Sequence, residues 1–370
     1  MIIKNADVFV SDGAFEKRDI FVKDDRLVAN TAGEVIDATG CYAIPGLVDT
    51  HFHGCMAVDF CDGKYESIAK IAEYQLKNGI MAICPASMTF GEDRLNQIFT
   101  AAADYSNPNG ADLVGINMEG PFISHAKKGA QNPKYIADPD VEMFKRLQDK
   151  ANGLIKIVDI APESDGALDF IEALKYEVAI SLAHTTANYD LALKAFEAGA
   201  SQLTHMYNAM NGLHHRDSGP IGAAFDSEWV RVELICDGLH ISPTMVRVAF
   251  KLFGDDRIIL ISDSMEATGM EDGQYALGGQ AVNKKGRLAT LADGTIAGSV
   301  TNLYECMVNA AKNMGIPFAS AVKCASVNPA KQIKIYDDYG SLDEGKYANI
   351  ILVDKDSFNI KKLIFKGKLI

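Results

Sequence analysis

His51 and His53 stand one residue apart in PGLVDTHFHG, a spacing that could do chemistry. On an extended segment residues i and i+2 share a face, so both imidazoles can turn toward one ion. Further along come Glu119, Glu163, His184, His205, the turn from Asp237 to His240, and Asp263. Imidazole mixed with carboxylate suits Zn²⁺ or Fe²⁺, whereas an all-carboxylate set suits Mg²⁺ or Ca²⁺. Each residue also has a plain structural explanation. A lone H-x-H is a short motif that often occurs without a metal. Glu119 could pair at a turn, His184 and His205 could be hydrogen-bonded core histidines, and Asp263 could cap a helix. Their joint placement favours the metal reading, because buried ionisable groups are costly unless paired or metal-bound. The chemistry expected is hydrolysis: a bound cation acidifies water, and Asp263 moves the proton to a leaving amine.

That reading requires elements that bring these residues to one place. The middle of the chain alternates short apolar runs with segments of helical periodicity. The runs are 43–49, 79–87, 112–119, 155–163, 177–184, 200–205, 231–237 and 257–263, with amphipathic stretches such as ESIAKIAEYQLKNG and PTMVRVAFKLFG between them. Such continuous apolar strands alternating with helices predict an α/β fold, a (β/α)8 TIM barrel, with an open doubly wound sheet as the alternative. In a barrel the site lies at the C-terminal strand ends, where the candidate residues fall. Residues 1–45 and the last segment read instead as short strands broken by Gly, Asp and Lys turns. The expected organisation is a small β-sandwich domain from both termini (1–45 plus 331–370) and a barrel over 46–330. The glycine-rich piece from Gly273 to Gly298 reads as a hairpin insertion, not a phosphate loop.

The chain has 370 residues, a net charge of −13 and 48% hydrophobic residues, with mean hydropathy near zero. The acidic balance argues against nucleic acid, which needs clustered Lys and Arg, yet a few local donors suffice for one small anion. No apolar run approaches the roughly 20 residues of a membrane helix, and the N-terminus lacks a signal-peptide pattern. Seven cysteines without a C-x-x-C pair suggest reduced thiols in a cytoplasm.

The motifs resemble a known family. PGLVDTHFHG (45–54) and GSLDEGKYANIILVD (340–354) look like the opening and closing signatures of the amidohydrolase superfamily. Within it the chain resembles the N-acetylglucosamine-6-phosphate deacetylases along almost its whole length, through NMEGPFIS, KKGAQNP, APE, LAHTTA, THMYNAMNGLHHRDSG, ICDGLHISP, ISDSMEATG and TIAGSVTNL. The resemblance implies that Glu119, His184 and His205 hold the main divalent metal and that Asp263 is the catalytic acid and base. It implies that His51 and His53 permit a second ion, with Glu119 bridging. Arg216 and His240 would contact the sugar phosphate, beside Asp237, with Asn208 and Ala209 as further donors. Ala297, Gly298 and Ser299 would lie along the sugar, and Ala130 with Gln131 near the acetamide. Arg216 would sit near the interface of a homodimer. Some family members carry a histidine where Gln131 stands; a glutamine can donate a hydrogen bond but cannot carry a proton. The galactosamine epimer and a catalytically inactive barrel are the alternative functions.

Overall fold

The computed structural model describes residues 1–107 and 109–370. Parallel strands follow one another in chain order through the middle of the molecule. Leu47–Asp49 pairs with Ile80–Ile83, which continues as Ala86–Ser87 and pairs with Asp112–Leu113 and Ile116–Glu119. Ile155–Ile160, Ala179–Leu182, Gln202–Leu203, Arg231–Ile235 and Ile258–Ile261 add in sequence. After the last strand the Asp263 amide donates to the His51 carbonyl (2.9 Å), and the Ser262 hydroxyl to Asp49 Oδ2 (2.6 Å), joining it to the first. The sheet is TIM-barrel-like, with helices between successive strands.

Local sequence explains the pieces. The strand Ile258–Ile261 is apolar throughout and fully buried, as a parallel strand covered on both faces must be. The helix Tyr65–Lys77 buries Ile68, Ile71, Ala72 and Leu76, the spacing of one helical face. The helix Pro243–Phe253 begins where the Ser242 side chain accepts from the Met245 amide, with proline in the first turn, where its missing N–H costs nothing.

The expected first run, 43–49, is two strands rather than one. Cys41–Pro45 belongs to a six-stranded sheet with Ile350–Asp354 and Asp7–Val10, and Leu47–Asp49 to the parallel sheet. Gly46 makes the step between them: a Cβ there would lie 2.6 Å from Met81 Sδ. A second sheet orders Arg26–Val28, Ile20–Lys23, Ile2–Lys4 and Val35–Asp37. Ile3, Val8, Val22, Ala43, Ile350 and Ile364 from the two sheets share one apolar cluster. Ile333, by contrast, packs with Val48, Ala82 and Ile157 of the parallel sheet, with Tyr339 against the same cluster. The glycine-rich segment folds as three antiparallel strands, Gly273–Leu277, Gln280–Lys285 and Leu288–Thr290. Among the described residues no helix is long and apolar enough to cross a membrane.

Candidate active site

His184, His205 and Asp263 each stand two residues past a strand end and adopt left-handed backbone, with φ of 44°, 29° and 49°. Such conformations cost side-chain-bearing residues on the order of 1–3 kcal/mol and persist only where the surroundings impose them. Here hydrogen bonds do so. The Ser124 amide donates to the His184 carbonyl (3.0 Å), the Asn208 amide to that of His205 (2.9 Å), and the Ser299 amide to that of Asp263 (2.7 Å). Each turn aims its side chain back over the sheet end instead of along the chain.

Glu119 is the centre of the arrangement. Its Oε1 lies 2.9 Å from His184 Nε2, 3.4 Å from His205 Nε2 and 3.5 Å from His51 Nε2. Its Oε2 lies 3.3 Å from His53 Nε2 and accepts from Gln131 Nε2 at 2.8 Å. Asp263 Oδ1 stands 3.3 Å from His53 Nε2 and 3.9 Å from His51 Nε2. Two ligand groups therefore share one carboxylate: Glu119 with His184 and His205, and Glu119 with His51 and His53. All five residues are buried.

The donor set fits a divalent metal. His184 Nδ1 donates to the Lys127 carbonyl (2.9 Å), so the neutral ring presents a bare Nε2 to Glu119 Oε1. Two acceptors at that distance repel unless a cation lies between them. His205 Nε2 lies 3.2 Å from His184 Nε2 and points to the same oxygen, and one proton cannot serve all three atoms. Bonds of about 2.0–2.1 Å to one ion separate neighbouring ligands by about 3.0–3.4 Å, the spacings found here. His51 repeats the pattern, with Nδ1 donating to Glu233 Oε2 (3.0 Å) while buried Nε2 has no hydrogen-bond partner.

The electrostatics are those of packed opposite charges. Burial pulls the His51 imidazole down, but Glu233 and Glu119 hold it well above its ordinary value. Burial likewise lowers His53, and Asp263 and Glu119 raise it. Burial would raise Glu119 and Asp263, yet the surrounding histidines keep both below the usual carboxylate range. A cation in the clusters acts on the carboxylates in the same direction. Asp237 and His240 form a separate pair: burial opposes both charges, and their 2.8 Å contact lowers the acid and raises the imidazole.

The groups open into a cavity of about 320 Å³. A cleft of about 740 Å³ elsewhere is larger but holds none of the histidines, so chemistry rather than size identifies the site. Ala130, Gln131, Asn208, Ala209, His240 and Gly298 line the smaller cavity, as expected. Four expected contacts do not. Asp237 turns to His240 and to the Leu239 and His240 amides. Ala297 is fully buried, and the Ser299 hydroxyl donates into the wall at the Ser262 carbonyl. Arg216 is exposed on the 214–217 turn, away from the lining. Glu163, read from its strand end as a candidate, instead accepts from Thr185 and Thr186 and braces the loop after His184.

Sequence reasoning missed other residues. Met88, Leu277, Thr295 and Ile296 close the cavity, the last two from the start of TIAGSVTNL. Glu233 was legible in part, as a carboxylate flanked by Val232 and Leu234 inside the strand run RVELICD. Gln131 does more than line the wall: its Oε1 accepts from the Thr89 amide (2.8 Å), which directs its NH₂ at Glu119.

Comparison with known proteins agrees with this geometry. The model of the Amidohydrolase family matches residues 42–370. The N-acetylglucosamine-6-phosphate deacetylase of Bacillus subtilis (strain 168) is 37% identical over 361 residues, covering 96% of this chain and 90% of the relative. The N-acetylgalactosamine-6-phosphate deacetylase of Escherichia coli O157:H7 is 31% identical over 328 residues, covering 88% and 86%. Among solved structures, an aspartate-to-alanine variant of N-acetyl-D-glucosamine-6-phosphate deacetylase from Mycobacterium smegmatis, in complex with N-acetyl-D-glucosamine-6-phosphate, superposes with a TM-score of 0.93. It is 30% identical, with 100% of this chain and 98% of that chain covered.

Proposed function

The chain belongs to the amidohydrolase family, and on that premise we propose that it hydrolyses the acetamide of N-acetylglucosamine 6-phosphate, releasing glucosamine 6-phosphate and acetate. The observation that carries this reading is the pair of ligand groups sharing Glu119, with Asp263 at their edge and a small cavity above. Zn²⁺ or Fe²⁺ suits the imidazole and carboxylate donors. When bound, such an ion supplies Lewis-acid polarisation of a carbonyl and acidification of water.

The chain's own residues do the rest. Asp263 Oδ1 accepts a proton from the attacking water as the new C–O bond forms. It returns that proton to the amide nitrogen as the C–N bond breaks, so the amine leaves neutral; the acid keeps the second water proton and loses it to solvent, becoming acetate. His240, whose pKa the Asp237 contact raises against the pull of burial, faces the cavity and suits the phosphate; Asn208 and the backbone at Ala209, Ala130 and Gly298 suit the sugar and acetamide. Gln131 is tied to Glu119 and Thr89; His51 and His53 with Glu119 would hold a second ion, which would supply carbonyl polarisation when bound. One ion per chain, together with a fully active His51→Ala variant, would sink that assignment.

We place Arg216 at the subunit boundary of a homodimer in a reducing cytoplasm, an arrangement that its exposure and the seven buried free thiols suit. We assign residues 46–330 to a closed (β/α)8 barrel and 1–45 with 331–370 to a β-sandwich; a boundary nearer 340 suits the packing of Ile333 and Tyr339. The deciding assay compares deacetylation of the N-acetylglucosamine and N-acetylgalactosamine 6-phosphates, with elemental analysis of the same sample. Faster turnover of the galactosamine epimer would transfer the assignment to it, and no turnover of either by metal-loaded protein would refute both.

A further inference from the structure

Glu233 lies in the middle of the strand Arg231–Ile235, between Val232 and Leu234, and is fully buried. A carboxyl group in such a place is costly unless its oxygens are satisfied. Both are. Oε1 accepts from Gln202 Nε2 (2.7 Å), and Oε2 accepts from His51 Nδ1 (3.0 Å) and from the His205 amide (3.2 Å). In every contact Glu233 is the acceptor. Among the described residues its only ion-pair partner within 4.0 Å is His51.

Those three contacts do unequal things. The Gln202 contact orients the carboxylate. The His51 contact puts the ring proton on Nδ1, leaves Nε2 bare toward Glu119 and sets the plane of the ring. The His205 contact pins the main chain of a left-handed residue whose Nε2 belongs to the other ligand group. One oxygen atom thus reaches a ligand of each group from beneath the site. Partners of this kind orient metal-ligating histidines and raise their basicity.

We propose that Glu233 is a positioning residue for both metal-ligand groups, coupling the His51 ring of one to the His205 backbone of the other. It touches neither substrate nor reacting atoms, and its effect is carried by the two histidines. The inference rests on the metal reading of the site and not on the identity of the substrate.

The test is metal binding to the full chain. Wild type, Glu233→Gln, Glu233→Leu and Gln202→Leu are stripped, titrated with Zn²⁺ against a competing chelator, and analysed for ions per chain. Thermal unfolding is measured with and without Zn²⁺. Loss of an outer partner of a metal-bound histidine typically lowers affinity 10–100-fold. That loss is expected for Glu233→Leu, with a smaller one for Glu233→Gln, whose amide oxygen can still accept from His51. Gln202→Leu should change affinity least, since Glu233 keeps its other two contacts. A positioning role also shrinks the rise in melting temperature that Zn²⁺ produces, because that rise follows binding. A merely structural role lowers the metal-free melting temperature and leaves the rise unchanged, and that result would overturn the proposal. If Glu233→Leu does not fold, the near-isosteric Glu233→Gln decides: binding within twofold of wild type overturns the inference, and a larger loss supports it. Wild-type protein that holds no Zn²⁺ would instead defeat the metal reading itself.

Discussion

Replacing Asp263 by asparagine removes its ability to carry a proton while changing little else. The residue sits at φ 49°, in the left-handed region, which asparagine enters more readily than most side chains. The amide is nearly isosteric with the carboxylate, so the 3.3 Å approach to His53 Nε2 is kept in shape. Positioned proton transfer contributes roughly 10²–10⁴ in rate, equivalent to about 2.7–5.5 kcal/mol of barrier. Asp263→Asn should therefore lower kcat by two to four orders of magnitude with KM for the acetylated sugar phosphate little changed. Acetate release at saturating substrate measures the rate, and elemental analysis of the same sample controls for metal loss. An alanine variant should also melt earlier, since alanine at positive φ is strained. A kcat for Asp263→Asn within tenfold of wild type, at unchanged metal content, would refute the proton-transfer role. Loss of one ion per chain would move Asp263 into the ligand shell, which its distances to His51 and His53 permit.

Three further outcomes follow from the geometry. Gln131→Leu takes the acceptor from the Thr89 amide and leaves Glu119 Oε2 with His53 alone, which should cost about 1–3 kcal/mol in urea unfolding at fixed metal; no measurable loss would show that these contacts contribute little. His240 has its pKa raised above 6.5 because Asp237 outweighs burial, so the charge and the stabilisation it brings are complete below that value and lost as pH rises through the raised folded value. Affinity for the phosphorylated sugar should fall over that upper window, and Asp237→Asn should move the fall to lower pH; an unmoved profile would exclude His240 as the phosphate partner. Phe170 packs edge-on against both Phe122 and Phe144, so Phe170→Ala should cost about 3–5 kcal/mol in denaturant unfolding without changing ions per chain.

Much of the fold was legible because its determinants are local. Strands such as Ile258–Ile261 announce themselves as continuous apolar runs, and helices such as Tyr65–Lys77 by a one-sided apolar face. Ligand candidates could be picked out because imidazole and carboxylate at the ends of apolar strands are expensive without a cation. The sequence alone thus determined the class of fold, the ligand types and the expectation of metal-assisted hydrolysis. It did not show that Asp237, Ala297, Ser299 and Arg216 lie off the cavity lining of the single chain, because a loop residue's neighbours are not set by its position in a motif.

Tertiary structure decided which groups meet. Glu233 and His51 are 182 residues apart in the chain, and Glu119 and His205 are 86 apart. Neither contact has a periodic signal, since both exist only when the sheet curls and brings successive strand ends around one point. The same curling makes Gln131, on the cavity lining, also a brace for Glu119, and places Leu277 of the insertion over the cavity. Local periodicity can state what a residue is and which way its strand faces it. Which atom it faces is settled by packing between segments far apart in sequence, and in this site that packing gives the Nδ1 atoms of His51 and His184 their acceptors.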